Sequence, residues 1–309
     1  MKIVFMGNPE FALPSLLAIN KSRHKIVAVV TNLDKPKGRG LKLQKTPVKK
    51  LAEDLGLPIL QPDSLESEVF LNQIRSFNAD IFVVVAFKIL PESLLEIPPM
   101  GAINLHASLL PKYRGAAPIN WALINGEKKT GITIFKIRKK VDTGEILYQK
   151  SVEINEDDTA GVLSQKLANL GGESLVKVLD LLEEGKIDPI PQDNSKATYA
   201  PKITTEVGKI NWKLDAKKIK NLIHGLSPDP GAYSYIFKKR VKFLKAGYEE
   251  LDTSYLPGTI VYIDKKQLKI QTGKGLLVPK VLQMEGKKPL DVAFFIKGFR
   301  GKIGDRFIS

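Results

Sequence analysis

The sequence predicts an α/β chain: a doubly wound parallel sheet followed by a small all-β barrel domain. Three observations carry this. The first third holds short β-branched runs, helix-period segments lie between them, and the last third alternates apolar and polar residues between Gly, Pro and Lys-Lys turns. Residues 2–6 (KIVFM), 25–31 (KIVAVVT) and 80–86 (DIFVVVA) lack polar alternation, as strands do when both faces are covered. Residues 10–20, 47–55 and 65–77 space their apolar positions three and four apart, and strand alternating with helix is the pattern that parallel pairing needs. Helical spacing returns at 116–125 and 160–184, with another apolar strand at 132–137. The stretch from 185 to 209 contains three prolines and no sustained period, which reads as a linker. One helix is expected at 215–225. The segments "AYSYIFKKRVKFLKAG", "GTIVYIDKKQLKIQTGKGLLVPKVLQ" and "RGKIGDRFIS" then read as strands of the barrel. The expected division is a first domain at 1–189, a linker at 190–208 and a second domain at 209–309.

With 43% hydrophobic and 26% charged residues, the chain can bury a core and is long enough for two domains. No run approaches the roughly eighteen apolar residues of a spanning helix, and "MKIVFMG" reads as a strand rather than a leader. A cytoplasmic protein without membrane contact is expected. Cysteine is absent, which excludes disulfides, thiolate nucleophiles and cysteine-ligated zinc. The net charge of +15 is unevenly spread: residues 190–309 hold 23 Lys+Arg against 11 Asp+Glu, and residues 1–50 hold 11 against 2. Two separated basic regions suit a polyanion partner, because each neutralised phosphate releases counterions. Lysine used only for solubility is the alternative reading.

The stretch "GAINLHASLLPKYRGAAP" sets Asn104 and His106 two residues apart at the end of an apolar run. On a strand they project from one face, toward the carboxyl edge of a parallel sheet, where open α/β folds bind ligands. In "VDTGEIL", Asp142 follows another apolar strand and offers a carboxylate to orient the histidine. His24, His106 and His224 are scattered without ligand spacing, so no metal is assigned. Ser108 lacks the Gly-x-Ser-x-Gly elbow of a serine nucleophile. The sheet is Rossmann-like, yet "MGNPEFALPS" lacks Gly-x-Gly-x-x-Gly, which removes support for a dinucleotide site.

"NLHASLLPKYRGAAPI" followed by "DTGEIL" resembles the signature of formyltransferases that use 10-formyltetrahydrofolate. The resemblance implies that Asn104, His106 and Asp142 are catalytic, and that Ser108, Leu109, Leu110 and Pro111 line the folate site. That superfamily also acts on sugar nucleotides and purine precursors. Over nearly its full length, through "IVFMGNPEFALPSL", "TNLDKPKGRGLKLQKTPVKKLAEDLGLPILQP" and "RGAAPINWAL", the chain looks like the branch acting on methionyl-tRNA. The implied partner is therefore initiator methionyl-tRNA, not DNA, bound by a monomer with 10-formyltetrahydrofolate as donor. A catalytically silent RNA-binding protein on the same scaffold is the alternative from another class.

Lys35, Lys37, Arg39, Lys42 and Lys45 share a loop with Gly38 and Gly40. A loop so charged gains order when phosphates neutralise it. The family's equivalent loop enters the acceptor stem, and Arg39 matches its central arginine. The second domain resembles an OB-like barrel, whose Lys238, Lys239 and Arg240, with Lys242 and Lys245, are expected to follow an RNA backbone. The sequence departs from the family's usual pattern at "AFKILP" (86–91), one residue short beside the folate pocket, at Asp229 of "SPDPGAYS", and at "RKKVD" before Asp142.

Overall fold

The β-branched run at the amino terminus becomes the middle of a seven-stranded sheet in the computed structural model, which describes residues 1–37 and 42–309. In chain order the elements are β1 (Lys2–Gly7), α1 (Leu13–Asn20), β2 (Lys25–Val30), β3 (Lys35–Lys37), β4 (Lys42–Gln44), α2 (Pro47–Asp54), β5 (Ile59–Leu60) and α3 (Glu68–Ser76). There follow β6 (Ile81–Val85), α4 (Glu92–Leu95), β7 (Ala102–His106), α5 (Pro118–Ile124), β8 (Lys129–Lys136), β9 (Ile146–Glu153) and α6 (Ala160–Glu183). The sheet order is β5-β2-β1-β6-β7-β8-β9. The strands from β5 to β7 are parallel, whereas β8 runs antiparallel to β7. The sheet is thus mixed rather than wholly parallel. Strand direction was not legible because β8 is buried along most of its length, as its parallel neighbours are.

Val4, Met6, Ala28, Val30, Phe82 and Val84 pack with Phe70, Leu71 and Ile74 of α3 on one face of the sheet. Thr46 and Ser67 cap α2 and α3 by accepting the amides of Lys49 and Phe70, so each helix starts where its sequence provides a hydroxyl. A glycine pair seats α6. A Cβ on Gly171 would stand 2.4 Å from Leu105 of β7, and one on Gly172 2.7 Å from the Pro14 carbonyl. Only glycine allows that approach. With Leu105 held against α6, Asn104 and His106 turn to the opposite face of the sheet.

The remaining elements are α7 (Ala216–Gly225), β10 (Ala232–Ile236), β11 (Lys239–Glu249), β12 (Ile260–Ile263), β13 (Leu268–Gln271), β14 (Leu276–Met284), β15 (Leu290–Asp291) and α8 (Val292–Lys297). They build an antiparallel sheet of order β10-β11-β14-β13-β12, with β15 beside β14. The tail expected as a strand forms isolated bridges instead: Ile308 pairs with Tyr235 of β10, and Arg306 with Thr259 just ahead of β12. It therefore reaches both edge strands and closes the sheet on itself, which removes the exposed edges. Trp212, Phe243 and Phe307 pack ring to ring inside, and the Trp212 indole donates to Ser234 Oγ at 2.9 Å.

Two compact units emerge. The first comprises residues 1–115, 130–152 and 164–199, and the second 116–129, 153–163 and 200–309. The chain thus passes between them several times, with α5 belonging to the second unit, so the division does not reduce to a cut near residue 190. Among the described residues, no helix is long and apolar enough to cross a membrane.

His224 of α7 is 2% exposed and its Nε2 donates to the Ala246 carbonyl at 2.9 Å. Burial, aided by Lys220, pushes this imidazole below its ordinary 6.5, and burial does the same to His24. The unfolded chain binds these protons below 6.5 while the native chain resists them, so native stability falls as pH drops through that value. Denaturant titrations between pH 7.5 and 5.5 are expected to show a loss of at most about 1.4 kcal/mol per pH unit per histidine. His224→Gln should flatten the slope. Carboxylates held below their ordinary values, such as Asp157 and Asp180, act in a lower pH window.

Candidate active site

β7 ends on His106 at the carboxyl edge of the parallel strands. Asn104 lies opposite Val84 on one side and Phe135 on the other, and His106 lies opposite Thr133. The His106 ring meets Phe135 edge-on at 6.5 Å and is 6% exposed. Its Nε2 is 2.9 Å from the Tyr113 carbonyl. A carbonyl only accepts, so Nε2 carries the hydrogen, and Nδ1 is left facing Asp142 Oδ2 at 3.8 Å. Asn104 is half-buried, and its Oδ1 is buried with no hydrogen-bond partner. The structure thus brings His106 and Asp142 together and sets Asn104 on the same face of β7.

The Asp142 carboxylate arrives from the turn after β8. Asp142 has φ +53°, and its Oδ2 accepts the Gly115 amide at 2.8 Å. Gly144 is required there, because a Cβ would overlap the Lys136 carbonyl at 1.6 Å. Gln192 braces the turn by donating to the carbonyls of Asp142 at 3.0 Å and Gly144 at 2.7 Å. The buried Arg114 guanidinium in turn donates to Gln192 Oε1 at 2.6 Å and Asn194 Oδ1 at 2.8 Å. Sequence reading missed this support. Residues 190–199 look like a linker, yet 192 and 194 hold the carboxylate-bearing turn in position, and nothing periodic marks them.

The loop after His106 is pinned from below. Thr133 Oγ1 donates to the Ser108 carbonyl at 2.6 Å and accepts from the Leu110 amide and the Gln149 amide group. Ser108 is fully buried, with its hydroxyl on the Lys112 carbonyl at 2.6 Å, and Leu110 is 3% exposed. Both shape the loop from inside, whereas Leu109 and Pro111 are half-buried at its surface.

The basic residues are dispersed. Lys35, Lys37 and Lys42 lie on β3 and β4, an antiparallel ribbon where a loop was expected. Three-residue strands leave no readable alternation. Arg39 falls outside the described residues. Lys45 pairs with Glu53 at 2.7 Å. Lys238 and Lys239 are exposed at the β10–β11 turn, and the Arg240 guanidinium lies 5.8 Å from the Tyr233 ring centre. Lys242 is half-buried, and Lys245 stands 3.7 Å from Asp157.

Two other polar groupings stand apart from these residues. His24, Asp180 and Glu183 gather as a possible metal-ligand set, but Arg23 already neutralises both carboxylates at 2.6 and 3.0 Å. A cavity of about 240 Å³ in the second unit is lined by Lys220, His224 and Tyr248 among others, and by none of Asn104, His106 and Asp142.

Removing the Gln192 carboxamide orphans two carbonyls and releases Arg114, and each lost bond costs about 1 kcal/mol. Gln192→Ala is expected to speed amide hydrogen exchange at residues 142–145 and to lower unfolding stability by about 1–3 kcal/mol. Unchanged exchange there would remove its bracing role.

Comparison with known proteins completes the picture. The family model described as formyl transferase matches residues 1–179, and that described as formyl transferase, C-terminal domain, matches 202–300. A methionyl-tRNA formyltransferase of Thermodesulfovibrio yellowstonii is 48% identical, covering 96% of this chain and 95% of its own. That of Caldanaerobacter subterraneus subsp. tengcongensis is 47% identical, covering 96% and 97%. Among solved structures, HypX from Aquifex aeolicus in complex with tetrahydrofolic acid superposes with a TM-score of 0.68 at 17% identity. It matches over 99% of this chain and 48% of that one, a likeness of fold. With both family models matched in order and such identity running almost end to end, the chain belongs to the methionyl-tRNA formyltransferase family.

Proposed function

We propose that the chain transfers the formyl group of 10-formyltetrahydrofolate to the α-amino group of initiator methionyl-tRNA, with Asn104, His106 and Asp142 as the catalytic residues. The reading rests above all on the 3.8 Å approach of His106 to Asp142 beside an Asn104 whose buried oxygen has no partner. An orphaned buried carbonyl costs about 1–3 kcal/mol, and a cost of that kind points to a task. The first unit acts in formyl transfer and the second, which carries the OB-like barrel of 209–309, in tRNA binding, while Gln192 and Asn194 of the stretch expected as a linker at 190–208 serve the first unit. The protein acts as a monomer in the cytoplasm, with RNA rather than DNA as its nucleic acid.

The folate donor supplies a formyl carbon bonded to N10. Leu109 and Pro111 are half-buried on the loop after His106, and Phe87 and Ile89 follow β6, which neighbours β7 in the sheet; these are the apolar side chains that the reading gives to the pterin. Ser108 and Leu110 keep the loop in shape. A free α-amine titrates near about 8, so a useful neutral fraction exists without a strong base. The harder task is charge on the formyl oxygen. With Oδ1 of Asn104 turned inward, its amide N–H groups remain to meet that oxygen. His106 Nε2–H is committed to Tyr113, which leaves Nδ1 to carry a proton between Asp142 and the reacting group. The amine nitrogen forms the new bond to the formyl carbon, the bond to N10 breaks, and the proton lost by the amine passes to N10 by way of Asp142 and His106 Nδ1. No covalent bond to the enzyme is needed.

Losing one oxyanion donor costs about 10² to 10³ in rate, so Asn104→Ala should lower turnover by that factor while tRNA affinity holds. A loss of tenfold or less in a single-turnover assay would refute the assigned role. For the basic segment at 35–45, which includes Lys35, Lys37, Arg39, Lys42 and Lys45, Arg39→Ala should weaken productive tRNA engagement while folate binding survives. Parallel titrations with tRNA and folate separate this outcome from misfolding, which would lower both.

A further inference from the structure

We propose that Phe237 is a stacking platform for an unpaired base of the bound RNA, held at the tip of the β10–β11 hairpin between cations that take the adjoining phosphates. The inference rests on the tRNA-binding reading of the second domain and names a contact of different chemistry within it. Ile236 pairs with Lys239, so Phe237 and Lys238 alone form the turn, with φ of +51° and +60°. Such a two-residue turn favours Asn-Gly, because residues with a Cβ resist the left-handed region. The sequence instead spends this position on a phenylalanine that is 54% exposed. A large apolar ring set in a strained turn and in water contradicts both local propensity and burial, and such contradictions gather at functional positions.

The ring is also held in place. Phe237 leans on Phe299 with centroids 6.2 Å apart; Phe299 lies 5.1 Å from Phe295 and stacks on Phe307 at 6.3 Å. Phe295 and Phe307 are buried core residues. A column of aromatic rings therefore runs from the barrel core to the exposed ring, which rests on Phe299 before anything binds. Lys238 and Lys239 are exposed beside it, and Arg300 and Lys302, which follow Phe299 in sequence, are exposed as well. The acidic groups bonded at this end are Glu285, accepting from the Arg240 amide at 3.5 Å, and Asp305, accepting from the Lys302 amide at 2.8 Å. Cations prevail, which favours a polyanion over an apolar protein surface, and stacking on a ring accepts any base because every base has a π-face.

The test uses the full chain and initiator tRNA, with affinity measured across a salt series. Base stacking on one aromatic side chain is worth about fivefold to a hundredfold in affinity, so Phe237→Ala should weaken binding by that factor without changing the salt slope. Phe237→Trp should retain affinity. Phe237→Asn, a residue suited to the turn, should keep thermal stability yet bind tRNA as poorly as Phe237→Ala, a split that a purely structural ring would not produce. Formylation should show a raised KM with kcat intact. Lys238→Ala combined with Lys239→Ala should lower the salt slope by up to about two. If the Phe237 variants bind tRNA within twofold of the parent while the lysine variant loses affinity, the stacking proposal fails and the tRNA-binding reading stands. If neither class alters binding, that reading of the hairpin fails as well. Concentration-dependent self-association abolished by Phe237→Ala, with tRNA affinity unchanged, would also overturn the proposal by giving the ring a different occupant.

Discussion

The bond from His106 Nε2 to the Tyr113 carbonyl, taken with the bond from the Gly115 amide to Asp142, ties two loops into one device. Residues 113–115 present a carbonyl to the histidine and an N–H to the carboxylate. The first contact consumes one imidazole proton and sets the tautomer. The second fixes one oxygen of the carboxylate that the other ring nitrogen faces. Turning His106 away breaks a buried hydrogen bond and turning Asp142 away breaks a part-buried one, each at about 1 kcal/mol. The relation between the imidazole and the carboxylate is therefore set by backbone, not by the two side chains alone.

This arrangement requires strained backbone. Tyr113 and Asp142 both occupy the left-handed region, at φ +60° and +53°, at roughly 1–2 kcal/mol each for residues with a Cβ. The offset comes from satisfied polar groups nearby. Thr133 uses its hydroxyl three times under the loop, Gln192 donates twice to the carboxylate-bearing turn, and Arg114 holds Gln192. In a low-dielectric interior such a network is stiff when complete and costly when broken. Asn104 Oδ1 stands outside it, buried without a partner, and its inward turn leaves the amide N–H groups as the arm that a substrate oxygen can use.

The second unit solves a different problem. An open five-stranded sheet exposes two edges, and here the last residues reach both, while Trp212, Phe243 and Phe307 fill the interior. Closure in this way leaves the hairpin tips as the places where the chain is free to carry function. The β10–β11 tip uses that freedom for an aromatic ring beside paired lysines.

Local sequence determined what depends on period and composition. Uninterrupted β-branched runs require strands covered on both faces, the two-residue spacing of Asn104 and His106 puts them on one face of β7, and the charge imbalance points to a polyanion. Tertiary structure alone decided what depends on distant partners. The reversed direction of β8, the ribbon of β3 and β4, the burial of Ser108 and Leu110 and the pairing of Lys45 with Glu53 have no periodic signature. The support of Asp142 is the clearest case, since Gly115 lies 27 residues from it in sequence and Gln192 lies 78 from Arg114. A hydrophobic period records which face a residue turns to the core, but a polar contact across such spans is written only in how the elements come to lie beside one another.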